Sequence, residues 1–550
     1  MNDFYLFLVK PTRYDDDGYP IRWRRSMLPA NSLACLYALA QQCRTDQVLG
    51  PDVTLHIEAF DEANHQFDSV AAFERMRKQG GRGLLALVGV QSNQFPRALA
   101  LARGFRDLGG QVCVGGFHVS GILSMLKQPD AALNEALEMG VSLFAGEAEA
   151  DRFTTVLKDA YAERLQPIYN YLKQLPDLEG AAQPFLPPEL VARTFSHYSS
   201  FDLGRGCPYT CSFCSIINVQ GRSSRFRSAD DLEGIIRANH AAGIHRFFIT
   251  DDNLARNRNW ENLFDRLIAL REKEGIKLRL LIQVDTMAHR VSGFIDKAVL
   301  AGVDQVFIGM ESIREENLKE IGKSHNRIDE YRSMLLAWKK YPVVVTAGYI
   351  IGFPADTPES VAADVEILKA RLPLDVIYFT YLTPLPGSQD HRDLTLAGDW
   401  LEPDLNQYDL NHRVTHHPHM SDREWEDAYE QAWRSFYTYD HMITILRRMV
   451  ALGSNKKLST IHRLIFYREF RRQFGVHPLE GGFGRRYDRN ERRSGLPCEN
   501  RFLFLLKRSW QQVRANVCGF VLYVRLRLAI YRIMRDPARK DWRDGAISPP

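Results

Sequence analysis

Cysteine is scarce in this chain, with eight residues in 550. So few cysteines argue against a disulfide scaffold, and a reducing compartment is expected. An excess of one charge sign is also lacking, because 71 Lys and Arg stand against 67 Asp and Glu, a net charge of +4. That small excess does not point to a nucleic-acid partner, and no basic stripe with interleaved aromatics is evident.

Long apolar runs and targeting signals are lacking as well. The N-terminus, MNDFYLFLVKPTRYDDDGYP, has a short apolar run with no basic region before it and acidic residues directly after it. It therefore does not predict a secretory signal. No window of about 20 residues is apolar and uncharged, so no transmembrane helix is predicted. We expect a cytoplasmic protein of two to four domains.

Strand-like and helix-like runs alternate through the first part of the chain, and the fold class is predicted to be α/β. A helical stretch at 95–108 ends at Gly109, a good stop signal. This alternation predicts a domain over 1–163 with a doubly wound, flavodoxin- or Rossmann-like parallel sheet, which would bind ligands at the carboxyl ends of its strands. The predicted strands are 4–9, 53–57, 84–90, 111–114 and 141–145.

Three further segments follow. Residues 164–197 carry five prolines and predict an extended linker. Residues 198–395 contain five helical stretches, among them 263–274 and 361–371, between six predicted strands, so we expect a partial (β/α)6 barrel. Residues 396–550 are predicted to be helical, over 421–450 and 455–474, with a loop at 480–500 and an apolar, basic segment at 501–535. The six strands are 200–204, 246–250, 278–284, 304–309, 343–351 and 375–382.

Three of the eight cysteines, Cys207, Cys211 and Cys214, fall in GRGCPYTCSFCSI, directly after the first strand of the second domain. A loop there would let three thiolates converge on one metal centre. Structural zinc needs four ligands, and neither a fourth cysteine nor a suitably spaced histidine is near. A disulfide would leave one thiol over. Three thiolates suit a 4Fe–4S cluster with one iron open, because such clusters normally take four cysteines.

This Cys-x3-Cys-x2-Cys loop after the first strand of a six-unit partial barrel resembles the radical S-adenosylmethionine (SAM) superfamily. The resemblance covers about 198–395. It implies that the open iron chelates SAM, and that an electron from the cluster cleaves SAM into methionine and a 5′-deoxyadenosyl radical. It also implies an electron donor such as flavodoxin or ferredoxin.

The resemblance further implies cofactor contacts at the strand ends, where barrel enzymes place their sites. Phe213 would pack near the adenine, Glu311 would bond ribose hydroxyls, and Gly352 lies in a glycine-bearing strand that would run along the adenine. Asp251, Asp252 and Asn253 would make polar contacts to SAM. Simpler roles stay open: a helix cap for Asp251 or Asp252, a rim salt bridge for Glu311 and a turn at Gly352.

Residues 1–163 resemble the cobalamin-binding domain that precedes the radical SAM core in one subgroup. Gly89, Ser92, Gly115, Gly116 and His118 lie in the resembling stretches, as does the run 146–149 (GEAE). Glycines at strand-to-helix turns let a cofactor approach the backbone closely. The Asp-x-His-x-x-Gly motif of many cobalamin enzymes is absent, so any cobalamin is expected to be held without a histidine ligand. For His118 a plainer role, as a turn residue bonded to backbone, is favoured.

The remaining candidates are weaker. Cys35, Cys43 and Cys113 are widely spaced and predict buried, inert thiols, as do Cys498 and Cys518. Residues 412, 416, 417 and 419 are histidines without ligand-like spacing, so a loop or substrate-pocket role is favoured over a metal site. Tyr378, Tyr381 and Tyr408 are placed near the substrate by position alone. The segment 501–535 could lie on an anionic membrane surface, but packing against the domain is favoured.

The resulting hypothesis is a 4Fe–4S enzyme that cleaves SAM and, with cobalamin, transfers a methyl group to an unactivated carbon or to phosphorus of a small-molecule or lipid-like substrate. No residue acting on the substrate is identified. Two rivals remain: a radical SAM cyclase or rearrangement enzyme without methyl transfer, and a non-catalytic carrier of cobalamin or cluster.

Overall fold

The computed structural model of the chain describes residues 2–323 and 325–548. Its N-terminal part alternates strands and helices as predicted. The elements are β1 (Asn2–Lys10), β2 (Arg22–Ser26), α1 (Asn31–Thr45), β3 (Val53–Asp61), α2 (Ser69–Lys78), β4 (Arg82–Leu87), α3 (Phe95–Arg106), β5 (Gln111–Gly115), α4 (Phe117–Met125), α5 (Ala131–Glu138), β6 (Ser142–Ala145), α6 (Arg152–Tyr161), β7 (Ile168–Asn170) and α7 (Pro188–Val191).

Six of these strands form one parallel sheet in the order β3-β1-β4-β5-β6-β7. The central strand β1 is a continuous apolar run because helices cover both faces of the sheet. The order reverses between β1 and β4, which is where doubly wound sheets bind their ligands. The predicted doubly wound sheet is confirmed, and the segment predicted as a linker contributes its edge strand β7.

The second part carries the other parallel sheet. The elements are β8 (Tyr198–Phe201), β9 (Gly204–Arg205), α8 (Ile216–Val219), β10 (Arg225–Phe226), α9 (Ala229–Ala241), β11 (Arg246–Ile249), α10 (Trp260–Glu274), β12 (Arg279–Val284), α11 (Phe294–Ala301), β13 (Val303–Glu311), α12 (Glu315–Glu320), α13 (Tyr331–Lys339), β14 (Val344–Ile351), α14 (Pro358–Arg371), β15 (Val376–Tyr381) and α15 (Gln389–Ala397).

The six long strands of this part pair in chain order, β8-β11-β12-β13-β14-β15, all parallel. All six predicted strands are present, and the largest shift is at the first, which begins two residues early and ends three residues early. Strands paired in chain order with helices between them form a partial barrel, as expected. Such an open sheet leaves the outer edge of β15 without a partner strand.

The C-terminal part is mainly helical, as predicted. Its elements are α16 (Asp422–Phe436), α17 (Tyr439–Ala451), α18 (Lys457–Phe474), β16 (Gly482–Arg486) and α19 (Arg501–Arg535). The single helix predicted over 421–450 is two helices, because the Thr438 side chain accepts from the His441 N–H and starts a new one. The predicted loop at 480–500 contains β16, which pairs antiparallel with β2. No described helix is both long and apolar enough to cross a bilayer.

Side chains of the C-terminal part close the free edge of β15. The Tyr437 hydroxyl accepts from Ile377 N at 3.1 Å and donates to Ile377 O at 2.7 Å. The Tyr429 hydroxyl donates to Phe379 O at 3.1 Å. Buried backbone groups left unpaired are costly. The C-terminal helices therefore complete a sheet that lacks further strands.

Replacing Tyr437 with Phe removes one hydroxyl and leaves the N–H and C=O of Ile377 unpaired in the interior. We expect Tyr437→Phe to destabilise the protein by about 1–3 kcal/mol, measured as a lower midpoint of thermal or urea unfolding. The control is Tyr341→Phe, whose hydroxyl bonds to Asp296 at the surface. Equal midpoints for the Tyr437 variant and wild type would contradict the role given to this hydroxyl.

Candidate active site

The three motif cysteines lie on a loop between the short strand β9 and helix α8. Gly206 has φ +89°, and a Cβ there would come within 2.5 Å of Ser223 O, so glycine is needed for this turn. The loop is closed by a bond from Cys207 N to Gly221 O at 3.2 Å and one from Cys214 N to Cys211 O at 3.2 Å. The backbone of the cysteine loop is thus fixed at both ends.

A buried carboxylate holds the middle of the cysteine loop. The Tyr209 hydroxyl donates to Asp285 at 2.7 Å, and the Tyr209 ring stacks on His325 with centroids 3.5 Å apart. Asp285 also accepts from Arg256 and from the Asn253 side-chain amide at 2.9 Å. Asn253 therefore positions Asp285, and through it the loop. Sequence reasoning identified Asn253 but missed Asp285, which gave no motif signal.

Burial suppresses ionisation of the cysteine thiols. It raises the pKa of Cys211 to about 11 and of Cys214 to about 12, and it also raises the pKa of Cys207. Such thiols are poor nucleophiles by themselves, whereas iron displaces their protons on binding. This donor set fits a metal cluster.

The thiols do not form a single-ion site. Within residues 2–323 and 325–548, no three His, Cys, Asp or Glu side chains are grouped to hold one metal ion. This differs from the expected convergence on one centre. Each thiolate of a 4Fe–4S cluster binds a different iron, so its ligands are spread around the cluster rather than meeting at one point. The three cysteines stay predicted ligands of such a cluster.

The two neighbouring aspartates at the end of β11 have different surroundings. Asp251 accepts from Leu203 N at 2.6 Å and from the Asn257 amide at 3.1 Å, so it ties the strand end to the β8 loop. Asp252 lines a cavity between the two sheets. Burial raises the pKa of both to about 7, with Asp251 adding to the effect on Asp252. Of the two, Asp252 is the one placed to contact a ligand.

Glu311 ends β13 in a strained conformation. Its φ is +64°, at a shift in the pairing register with β14, and strain of this kind is concentrated at functional sites. Its carboxylate accepts from the Lys323 ammonium at 2.5 Å. Burial disfavours that ammonium, but Glu311 and the nearby Cys211 raise the pKa of Lys323. Lys323 was not identified from the sequence, and it links the predicted ribose contact to the cysteine loop.

Phe213 and Gly352 both lie beside the carboxyl end of β14, but they have different structural roles. Phe213 packs with Ile350 and Phe353 beside the end of β14, next to the third cysteine. Gly352 has φ +106°, and a Cβ there would lie 2.2 Å from the Trp425 ring. Its N–H donates to Asp356 at 2.9 Å. Packing and turn geometry account for this glycine, and its predicted contact to adenine stays a prediction.

A cavity of about 490 Å³ opens between the carboxyl ends of the first sheet and the cysteine-loop side of the second. Gly89, Gly115 and Gly116 line it from the first sheet, and Thr250 and Asp252 line it from the second. Gly116 has φ +149°, and a Cβ there would come within 2.1 Å of Val90 N. Only glycine lets the two strand ends approach this closely. No histidine is among the described lining residues.

Ser92 and His118 are turned away from this cavity. The His118 ring bonds Ser92 Oγ at 3.1 Å and lies 4.4 Å from the Phe95 ring. The side chain is fully buried, and burial lowers the pKa of His118 to about 3, so the ring is neutral. The pair fits a packing role. The expected bond from the His118 ring to backbone is not among the described contacts; the ring bonds the Ser92 side chain instead.

The histidines and tyrosines predicted to lie near a substrate do not come together at one site. His412 bonds Asp409, His416 bonds Asp422, and His417 Nε2 bonds Phe353 O. Tyr378 bonds Tyr467, and Tyr381 stacks on Tyr429. Neither the histidines nor Tyr378, Tyr381 and Tyr408 are among the residues lining the cavity between the sheets.

A buried arginine joins the two sheets at this cavity. Arg205, two residues before Cys207, contacts Glu147 at 2.7 Å, Glu149 at 2.7 Å and Asp202 at 3.0 Å. Burial alone would raise the pKa of Asp202 and Glu149, but the Arg205 charge outweighs it and holds both values below their usual range. Glu147 and Glu149 lie in the GEAE stretch, whereas nothing in the sequence around Arg205 predicts that it pairs with them.

Removing Arg205 leaves three buried carboxylates short of a partner. We expect Arg205→Met to destabilise the protein by about 3–5 kcal/mol near neutral pH. In wild type, depressed carboxyl pKa values contribute stability that is lost as pH falls through them. In the variant the carboxyl pKa values rise, so its deficit should shrink between about pH 7 and pH 5.

Unfolding midpoints at both pH values measure this effect. Arg237→Met is the matched control, because Arg237 pairs with Glu233 and Glu274 at the exposed surface and should change little. A pH-independent deficit for the Arg205 variant would contradict the electrostatic explanation.

Comparisons with known proteins agree with this geometry. The sequence model of the Radical SAM superfamily matches residues 202–368. Bacteriochlorophyllide d C-8(2)-methyltransferase from Chlorobaculum tepidum is 26% identical over 381 residues, which is 65% of this chain and 77% of that protein.

Two solved structures share the fold. The radical SAM methyltransferase TsrM from Kitasatospora setae, with cobalamin and a 4Fe–4S cluster bound, has a TM-score of 0.51 at 17% identity, over 73% of this chain and 76% of that one. The cobalamin-dependent SAM radical enzyme OxsB, with aqua-cobalamin and SAM bound, has a TM-score of 0.54 at 12% identity, over 98% and 81%. The chain therefore carries a radical SAM domain over residues 202–368, which contains the cysteine loop, and it shares the overall fold of these two structures.

Proposed function

We propose that this enzyme binds cobalamin between its two sheets and transfers a methyl group from SAM to an unactivated carbon, or to phosphorus, of a small-molecule substrate. The observation that carries the proposal is the shared cavity. Its lining comes from the carboxyl ends of the first sheet and from the strand ends beside the cysteine loop. A group held there has the radical-generating site of the second domain as its neighbour.

The residues of the cavity suit part of a large, mostly flat cofactor. Gly89, Gly115 and Gly116 give the backbone access that a close ligand needs. A volume of about 490 Å³ is typical of a small-ligand site, so it would enclose one portion of cobalamin. The Lys10 side chain also faces the cavity, where burial lowers its pKa to about 8. A corrinoid bound here would have no imidazole ligand from the described lining.

In the second domain, Cys207, Cys211 and Cys214 would hold a 4Fe–4S cluster, which supplies the electron that cleaves SAM. Asp285 and Tyr209 keep the loop in place, and the Lys323 ammonium sets the position of the Glu311 carboxylate for a ribose hydroxyl. Asp252 lines the cavity from the end of β11, the strand next to the one that precedes the cluster loop. Preorganised groups of this kind orient reactants and exclude water from a radical.

The setting of the reaction is also part of this proposal. All eight cysteines are free thiols, which suits a reducing compartment. We place the enzyme in the cytoplasm, where reduced flavodoxin or ferredoxin would supply the electron. The boundaries proposed for its parts are 1–163, 198–395 and 396–550, with 164–197 connecting the first two.

The function is tested by following the methyl group. Cys207→Ala should lose the visible absorption of the reconstituted cluster and all production of 5′-deoxyadenosine, because one of three ligands is gone. Cells given methionine with a deuterated methyl group should accumulate a labelled product with the wild-type enzyme and none with this variant. The matched control is Cys498→Ala, because Cys498 is exposed and not buried as the sequence predicted. SAM cleavage without any labelled product would instead favour a radical rearrangement or cyclisation.

Cobalamin binding has its own test. Protein purified from cobalamin-supplied cells should carry corrinoid in its visible spectrum. Labelling the histidines of the protein with nitrogen-15 should leave the electron paramagnetic resonance spectrum of its Co(II) form unchanged, since no histidine is among the described lining residues. Ala86→Phe fills the cavity and should abolish the corrinoid bands, while SAM cleavage persists. Cys113→Ala, at the paired position on β5, leaves the cavity open and should retain them. Full corrinoid content in Ala86→Phe would exclude this cavity as the site.

A further inference from the structure

One face of helix α19 is buried against the protein, and the opposite face is exposed to solvent. Its 35 residues would span about 50 Å. The buried face includes Leu522, Leu526, Ile530 and Ile533, and the helix packs on α17 and α18. Nearer its start, Phe504 contacts the rings of Tyr19 and Tyr487. The predicted packing of this segment against the protein therefore holds for one side of the helix.

The other side of α19 is a continuous apolar row. Leu503, Leu506, Trp510, Val513, Val517, Phe520, Val524, Leu528 and Tyr531 recur every three or four residues, so they share a face, and all are exposed. Trp510 is 66% exposed and Phe520 is 67% exposed. Apolar surface this extensive on a water-facing helix marks an interaction site.

Charge decides which partner fits this face. The helix carries eight Lys and Arg residues and no Asp or Glu. Lys507, Arg514, Arg525 and Arg532 are spaced by seven, eleven and seven residues, close to whole turns, so they form a row along one border of the apolar face. Among described contacts, Lys507 pairs with Asp17, whereas Arg514 and Arg532 have no carboxylate partner.

We propose that the exposed face of α19 lies on an anionic lipid surface, with its apolar row in the headgroup boundary and its basic row against lipid phosphates. An amphipathic helix with a basic border and large aromatic and aliphatic side chains on its free face has this preference. A bilayer surface satisfies both rows at once. The helix does not need to cross the membrane, and no described helix is apolar enough to do so.

A second copy of the chain is the main competing occupant, and the charges disfavour it. A two-fold interface would bring the same face of each copy together. The basic row of one copy would then come close to the basic row of the other, with no acidic residue on either helix to offset the repulsion. Anionic lipid instead gains about fivefold in affinity for each basic residue near the surface.

The experiment is vesicle flotation of the full-length protein. Wild type should float with vesicles of phosphatidylcholine mixed with phosphatidylglycerol, should not float with phosphatidylcholine alone, and should be released by high salt. Trp510→Ser combined with Phe520→Ser should reduce binding at least tenfold. Arg514→Gln and Arg532→Gln should each reduce it about fivefold. Leu396→Ser removes an apolar side chain that is 75% exposed on α15 and should bind as wild type does.

Two further measurements keep the outcome interpretable. SAM cleavage and the unfolding midpoint should be the same in all variants, because every changed side chain is exposed; the arginine variants provide the test if the apolar double variant misfolds. Light scattering reports the oligomeric state. The proposal would be overturned if wild type did not float, or if both variant sets floated as well as wild type. It would also be overturned if the protein formed a dimer without lipid and the double variant were a monomer. Because SAM cleavage is measured separately, failure here leaves the proposed reaction unaffected.

Discussion

One buried cation connects the two halves of this molecule. Arg205 leaves the second domain two residues before the first motif cysteine and reaches Glu147 and Glu149 of the first domain. A charge in the interior is tolerated only when it is paired. Among the described ion pairs, Glu149 has only Arg205 as its partner, whereas Glu147 also pairs with Arg225 and Asp202 with Arg227. The position of the cysteine loop relative to the first sheet is therefore set by an interaction that cannot be removed from either side without cost. The cavity between the sheets is bounded by this same network.

The two parallel sheets make a composite site because of how their strands end. Parallel sheets place ligand-binding loops at their carboxyl edges. Here both edges border one cavity, with glycines on one side and polar residues on the other. The glycines allow close approach and the polar residues give orientation. A cofactor bound by the first domain would then lie next to a radical generated in the second domain, and no long-range conformational change would be needed to bring them together.

The C-terminal helices have two separate tasks. Their inner side chains, Tyr437 and Tyr429 among them, supply the hydrogen bonds that an incomplete barrel lacks along β15. Their outermost member, α19, then has one face used for packing and one face free. The open edge of the barrel must be paired by other elements, and the C-terminal helices do this. One of them, α19, also has an exposed apolar and basic face that is not needed to stabilise the barrel.

Local pattern determined much of this protein. The alternation of apolar runs and helical stretches predicted both parallel sheets and all six barrel strands, because period is a property of neighbouring residues. Three closely spaced cysteines carried the resemblance to the radical SAM superfamily, whose domain model matches residues 202–368. Long-range contact decided the rest. No sequence motif predicts the roles of Arg205, Asp285 and Lys323. Arg205 and Asp285 bind partners that are distant in sequence, and Lys323 binds Glu311 beside the cysteine loop. Whether His118 faced the cavity or the core, and whether α19 buried one face or both, likewise depended on which surfaces meet after folding.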